Sequence, residues 1–157
     1  MDYYLTIKMI HILAAVVVAG TGTGIAFFMF MANQSNNIQA IAVTTKHVVL
    51  ADWLFTFPAV VVQFVTGIML VNILNYSYSS AWFLAVISLF IFIGVCWLPV
   101  IYLQYRLKHF ADQALEEGVI SDSFKATMKL WTALGIPAFA SVIVIFWLMI
   151  FKPLSVV

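Results

Sequence analysis

Residues 81–103, AWFLAVISLFIFIGVCWLPVIYL, contain no charged side chain. An α-helix rises about 1.5 Å per residue and the hydrocarbon core of a bilayer is about 30 Å thick, so roughly 20 such residues cross it. In water the stretch would need burial on every side, and the rest of the chain cannot provide it. Of 157 residues, 65% are hydrophobic and 8% charged, whereas a soluble domain carries about 25% charged residues. Lipid is the solvent that this composition fits.

Working outward, three further apolar segments qualify. The expected helices cover about 3–32, 41–75, 81–110 and 124–151. Together they give an all-α polytopic membrane protein, an antiparallel four-transmembrane-helix bundle in a single domain over 1–157. Polar turns separate them at Asn33-Gln34-Ser35-Asn36-Asn37 and Asn75-Tyr76-Ser77-Tyr78-Ser79-Ser80. The stretch 112–122 is the one markedly charged connection, with Ser121 placed to cap the last helix and Asp122 in its first turn. The start, Met1-Asp2-Tyr3-Tyr4, lacks the basic region of a cleavable signal, so the first helix is expected to be permanent.

Lys46, Arg106, Lys108, Lys125 and Lys129 gather at one end of such a bundle, Lys8 and Lys152 at the other. The positive-inside rule puts the first end in the cytoplasm and both termini outside. A net charge of +1 offers no field for nucleic acid. Cys96 is the single cysteine, which excludes an intramolecular disulfide and a CxxC metal site. No Ser–His–acid or HExxH pattern points to hydrolysis.

Depth can be estimated by centring the turns near residues 36, 78 and 119. Pro58, Pro99 and Pro137 then share a mid-membrane layer, with Trp53, Trp97, Trp131 and Phe57 within about two turns. Each proline removes a backbone hydrogen bond, which suits either ordinary kinks or a bundle that bulges around a ligand. Asp52, Thr56, Gln63 and Thr66 recur on one face of the second helix and should point inward. An intramembrane carboxylate is costly and marks a functional candidate. Gln104 and the Gly20-Thr21-Gly22-Thr23-Gly24 run lie at its level. Asp52, Gln104 and Thr56 thus form an intramembrane polar site or a hydrogen-bonded packing element, and Gly20 with Gly24 has the GxxxG spacing of close helix packing.

His11, level with Gln63, fits an axial haem or metal ligand, with Gln63 and Trp97 beside the cofactor, or a buried imidazole bonded to Gln63 or a carbonyl. His47 and His109 share a depth at the basic end and could form a second site or simply be solvated. His11 and His47 fall toward opposite faces, which argues against both holding one iron.

Several motifs resemble a bacterial family of integral membrane proteins of unknown function. They are Lys8-x-x-His11, Val48-Val49-Leu50-Ala51-Asp52-Trp53-Leu54-Phe55, Cys96-Trp97-Leu98-Pro99-Val100 and Ala133-Leu134-Gly135-Ile136-Pro137-Ala138-Phe139. That family is distantly similar to the copper-resistance CopD membrane domain and the HemJ-type protoporphyrinogen oxidase. The likeness implies a bacterial inner membrane and, through His11, haem b. The HemJ type also uses a lysine within its third helix; here that helix has only Lys108, at its cytoplasmic end.

The leading expectation is a haem b-binding protein, if an enzyme then a membrane-bound oxidoreductase, acting in electron transfer or tetrapyrrole chemistry with quinone. The alternative is a non-catalytic accessory subunit or assembly factor, docked as a homo-oligomer or on a partner membrane subunit. Copper handling ranks third, since Cys96 and Met9, Met29, Met31, Met69, Met128 and Met149 show no cluster at ligand spacing.

Overall fold

The structure, a computed structural model, describes residues 3–153. It is helical from end to end: α1 (Tyr3–Gln34), α2 (Ile38–Ala51), a π-helical turn (Asp52–Thr56), α3 (Phe57–Ile73), α4 (Ala81–Glu117) and α5 (Asp122–Phe151). α2, the π turn and α3 form one continuous rod, so four rods are long and apolar enough to cross a membrane. Large apolar side chains cover the outside, among them Val16, Phe28, Leu54, Leu98 and Ile150. Lipid is the medium in which that surface costs nothing.

The helix ends follow from local chemistry. The side chains of Asn37, Ser80 and Ser121 each accept a hydrogen bond from the backbone N–H three residues on, at 3.0–3.2 Å. This satisfies donors that a helix start leaves bare. α4 stops at Gly118, whose φ of 72° breaks the helix in the left-handed region.

Two boundaries differ from the sequence reading. α4 continues to Glu117 instead of ending near Phe110, so most of the charged connection is helix. Leu107, Ala111 and Ala114 explain it, because they form a buried stripe at helical spacing while the charges face outward. Lys46 from α2 lies 3.7 Å from Asp112 across this packed end. The second rod, expected as one α-helix to Asn75, is interrupted and ends at Ile73.

The interruption has a physical cause. Pro58 lacks an N–H, and its ring would press on the carbonyl four residues back in a regular helix. Here the chain widens just before it, and the Phe57 N–H reaches back five residues to the Asp52 carbonyl. Such π turns occur often at functional positions. Pro58 and Pro99 are exposed on the outside of the bundle, so the proline layer does not itself line its interior.

Packing is uneven. α4 and α5 pair along their length, α1 pairs with the second rod, and α2 joins the two pairs at the basic end. There Met29, Ile41, Leu107, Phe124 and Met128 form a compact core. α3 and α4 scarcely approach one another by backbone, and the gap is bridged by Phe64 stacked on Phe90 at 5.9 Å. α1 and α5 also touch little. The two helical pairs therefore close at the basic end and part above it, leaving an interior space.

At the opposite end a clasp holds α5 to the α3–α4 turn. The Trp82 indole N–H donates to the Leu148 carbonyl at 2.8 Å, and Lys152 donates to the Tyr76 hydroxyl at 2.6 Å while lying over its ring.

Candidate functional site

The space between the helical pairs is a cavity of about 600 Å³, within the range of small-molecule sites. All four rods line it, and its wall is overwhelmingly apolar. It extends from Gln104 and Met128 near the basic end to Gln63, Phe90 and Phe146 on the other side of the membrane's middle. Gly22, Gly94 and Gly135 line it from three different rods.

Polar groups concentrate toward the basic end. Asp52 starts the π turn and Thr56 ends it, and both are buried. Gln104 of α4 is 3% exposed, and Thr56, Gln104 and Trp97 are the polar neighbours of the Asp52 carboxyl. Trp131 of α5 is buried at the same cavity wall. Asp52 is the one acid of the sequence that lies away from the helix ends.

Five buried side-chain atoms among the described residues have no hydrogen-bond partner: Asp52 Oδ2, Thr56 Oγ1, Gln63 Oε1, Trp97 Nε1 and Trp131 Nε1. Every one of those residues lines this cavity. An unpaired buried polar atom costs about 1–3 kcal/mol, and buried polar groups are ordinarily paired. Three of the five belong to Asp52, Thr56 and Trp97, which are polar neighbours of one another around the Asp52 carboxyl, so the group is under-satisfied rather than wholly bare. Two indole N–H groups can only donate, and an ionised carboxylate can only accept.

A second polar group sits beside the cavity, and here both ring nitrogens of a histidine are paired. His11 Nδ1 is 2.8 Å from Thr66 Oγ1, and His11 Nε2 is 2.9 Å from Gln63 Nε2. The Thr66 hydroxyl in turn donates to the Val62 carbonyl at 2.6 Å. The imidazole lies flat against α3 at Gly67, where an added Cβ would come within 3.3 Å of His11 Cε1. Gln63 belongs to both groups: its nitrogen holds His11, its Oε1 has no partner, and the residue lines the cavity.

The inward stripe thus divides. Asp52, Thr56 and Gln63 face the cavity with Trp97 and Gln104, as their spacing and depth suggest. Thr66 turns to His11 instead. Of the two readings of His11, an axial ligand would offer haem or a metal a free ring nitrogen, and a buried imidazole would bond Gln63 or a carbonyl. Both of its nitrogens are engaged, its ring is pressed on the α3 backbone, and it does not line the cavity. The residues present do not fit a haem bound through His11. His47 and His109 are both exposed and no hydrogen bond joins them, so the structure builds no second site there. No group of three or more metal-binding His, Cys, Asp or Glu side chains exists among the described residues.

Gly20 and Gly24 also depart from expectation. Nothing lies within 4 Å of where their Cβ atoms would be, so they pack no helix within this chain. Two features were missed in the sequence, the Gly67 seat for His11 and the π turn. Gly67 carries no local signal, while the π turn has a faint one in Pro58 shortly after an inward-facing acid.

Four apolar spanning rods around an intramembrane cavity define a polytopic helical membrane protein. The chain belongs to a family described as predicted integral membrane protein (DUF2269), which it matches over residues 5–153. No curated protein and no solved structure matches it significantly.

Proposed function

We propose that this protein binds a lipid-soluble amphiphile of the quinone class inside the membrane. The observation that carries the reading is that all five residues with an unpaired buried polar atom line one apolar cavity. A quinone ring offers carbonyl oxygens to the Trp97 and Trp131 N–H groups. Its reduced form offers hydroxyl protons to Asp52 and Thr56, and the isoprenoid tail follows the apolar wall between the helical pairs. Trp97 supplies an aromatic face, itself stacked on Phe57 at 6.5 Å between ring centroids. The ligand enters from lipid where α1 and α5 part, so it need not cross water. We place the basic end in the cytoplasm of a bacterium, with the head-group site in the cytoplasmic half of the inner membrane.

The test uses intrinsic fluorescence. Protein in nanodiscs of saturated phosphatidylcholine is titrated with decylubiquinone, which quenches tryptophan. Saturable quenching that is lost in the Trp97→Phe/Trp131→Phe double variant supports the site, provided mass spectrometry of extracted protein also finds bound quinone. Quenching that rises linearly, with no quinone in the extract, overturns it.

A second reading, an accessory membrane subunit, is favoured by one observation. Gly20 and Gly24 keep a GxxxG face free of intrachain packing, which suits a partner helix or a second copy. Gly20→Leu/Gly24→Leu should then abolish a stoichiometric association while leaving quinone binding intact.

A further inference from the structure

We propose that Gln63 decides whether the far end of the cavity favours a hydrogen-bond donor or an acceptor, and that the proton on His11 decides which way Gln63 faces. The specificity role rests on the quinone reading above; the amide switch does not.

Proton counting fixes the resting arrangement. The Thr66 hydroxyl has one proton, and it is committed to the Val62 carbonyl at 2.6 Å. Toward His11 Nδ1, 2.8 Å away, Thr66 can therefore only accept, so Nδ1 carries the hydrogen. A neutral imidazole has one N–H. Nε2 is then bare and accepts from the Gln63 amide nitrogen at 2.9 Å. What remains of Gln63 is Oε1, buried and unpartnered, on a residue that lines the cavity.

A proton arriving at Nε2 makes both ring nitrogens donors and sets two donors against each other at that contact. A half-turn of the Gln63 amide about its last torsion resolves the conflict. Oε1 then accepts from Nε2–H, and the NH₂ group faces the cavity. His11 keeps two hydrogen bonds in both states and Thr66 is undisturbed. The net change is that the cavity meets a carbonyl when His11 is neutral and an amide N–H when it is charged.

Few other charges bear on this step. On α1, Lys8 lies three residues before His11, with its ammonium 5.6 Å from the Tyr4 ring centroid. α3 has no acid or base between residues 57 and 73, and α5 has none between 130 and 151. On α4 the titratable groups between 81 and 105 are Cys96, Tyr102 and Tyr105, and on α2 they are Lys46 and His47 at the basic end. Asp52 stands at the other end of the cavity, eleven positions before Gln63 or ~16 Å along a helix.

The ligand consequence follows by linkage. Neutral His11 favours a molecule that donates there, such as a quinol hydroxyl; charged His11 favours one that only accepts, such as a quinone carbonyl. Reciprocally, quinol binding holds His11 neutral and quinone binding favours its protonation. A donor–donor or acceptor–acceptor mismatch at a buried contact is worth about tenfold or more in affinity.

Two measurements test this. His47→Gln/His109→Gln leaves His11 as the one histidine, and its ¹⁵N signals in nanodiscs report the tautomer directly. The expected result is Nδ1–H at high pH, both nitrogens protonated at low pH, and Gln63 side-chain amide signals moving with the same midpoint. A neutral Nε2–H tautomer, or Gln63 signals that ignore the titration, overturns the switch whether or not any ligand binds. In the second, the affinity ratio of decylubiquinol to decylubiquinone is measured anaerobically across the same pH range. It should fall about tenfold as His11 charges and stay flat in Gln63→Met. A flat ratio in the unaltered protein, or an undiminished slope in Gln63→Met that traces to Asp52, overturns the specificity role. Failure of both compounds to bind defeats the quinone reading, and the ¹⁵N result still decides the switch.

Discussion

Two polar groups lie within the same membrane-spanning bundle and differ in one respect. Around His11, both ring nitrogens and the Thr66 hydroxyl have partners at 2.6–2.9 Å. Around Asp52, the carboxyl oxygen Oδ2, the Thr56 hydroxyl and two indole N–H groups have none, though all are buried. In lipid, the first arrangement holds α1 to α3 and leaves over only Gln63 Oε1. The second leaves four polar atoms unpaired at a cost in stability, which the proposed ligand would offset. A histidine is the more familiar mark of a cofactor, yet the carboxylate is the residue left open.

Removing His11 should give the largest effect on folding. His11→Ala strands Thr66 and Gln63 and empties the space beside Gly67, and a loss of about 2–4 kcal/mol is expected from truncation and broken hydrogen bonds together. Denaturation in mixed micelles measures it. If stability is unchanged, the paired group is not a structural tie.

Asp52→Leu should behave in the opposite way. It removes a buried carboxyl whose Oδ2 has no partner, so stability should hold or rise, while affinity for decylubiquinol falls at least tenfold. A variant that unfolds while keeping its ligand would reverse the assignment of the two groups. Taken singly, Trp97→Phe and Trp131→Phe should each weaken decylubiquinone by about three- to tenfold, the worth of one hydrogen bond of ~1 kcal/mol. Equal quenching curves for all three proteins would remove the indoles from the site.

Gly67→Ala is the mildest probe. The new Cβ would stand 3.3 Å from His11 Cε1, tight enough to shift the ring by a few tenths of an ångström. A cost of about 1 kcal/mol is expected, visible as a small change in unfolding midpoint and a shifted His11 ¹⁵N signal.

Much of this comparison was legible in the residues. Long apolar runs and polar turns locate the four rods because hydropathy and the helical rise are both local properties. Counting depth from the turns brings Asp52, Thr56 and Gln104 together and sets His11 beside Gln63, since antiparallel rods with short turns have little freedom of register. The length of α4 was hidden because Asp112, Glu116 and Glu117 dominate the composition there, while Leu107, Ala111 and Ala114 carry the packing. The choice between the two readings of His11, axial ligand or imidazole bonded to Gln63, was not legible for a different reason. Whether an imidazole is open or engaged depends on angles between rods, and on a glycine whose only contribution is the absence of a side chain.

The π turn has a consequence for chain length. Five residues, Asp52–Thr56, occupy a wider coil than an α-helix would give them, so the second rod carries one residue beyond what a regular helix needs. Deleting a single residue from this stretch would turn α2 against α3 by about 100°. Asp52 and Gln63 would no longer share a wall. The rod would still be apolar, still cross the bilayer and still cap correctly, yet the chamber would have lost its acid. The length of this stretch therefore matters alongside the side chains of Asp52 and Thr56, and insertions or deletions here separate chains that keep the chamber from chains that keep only the bundle.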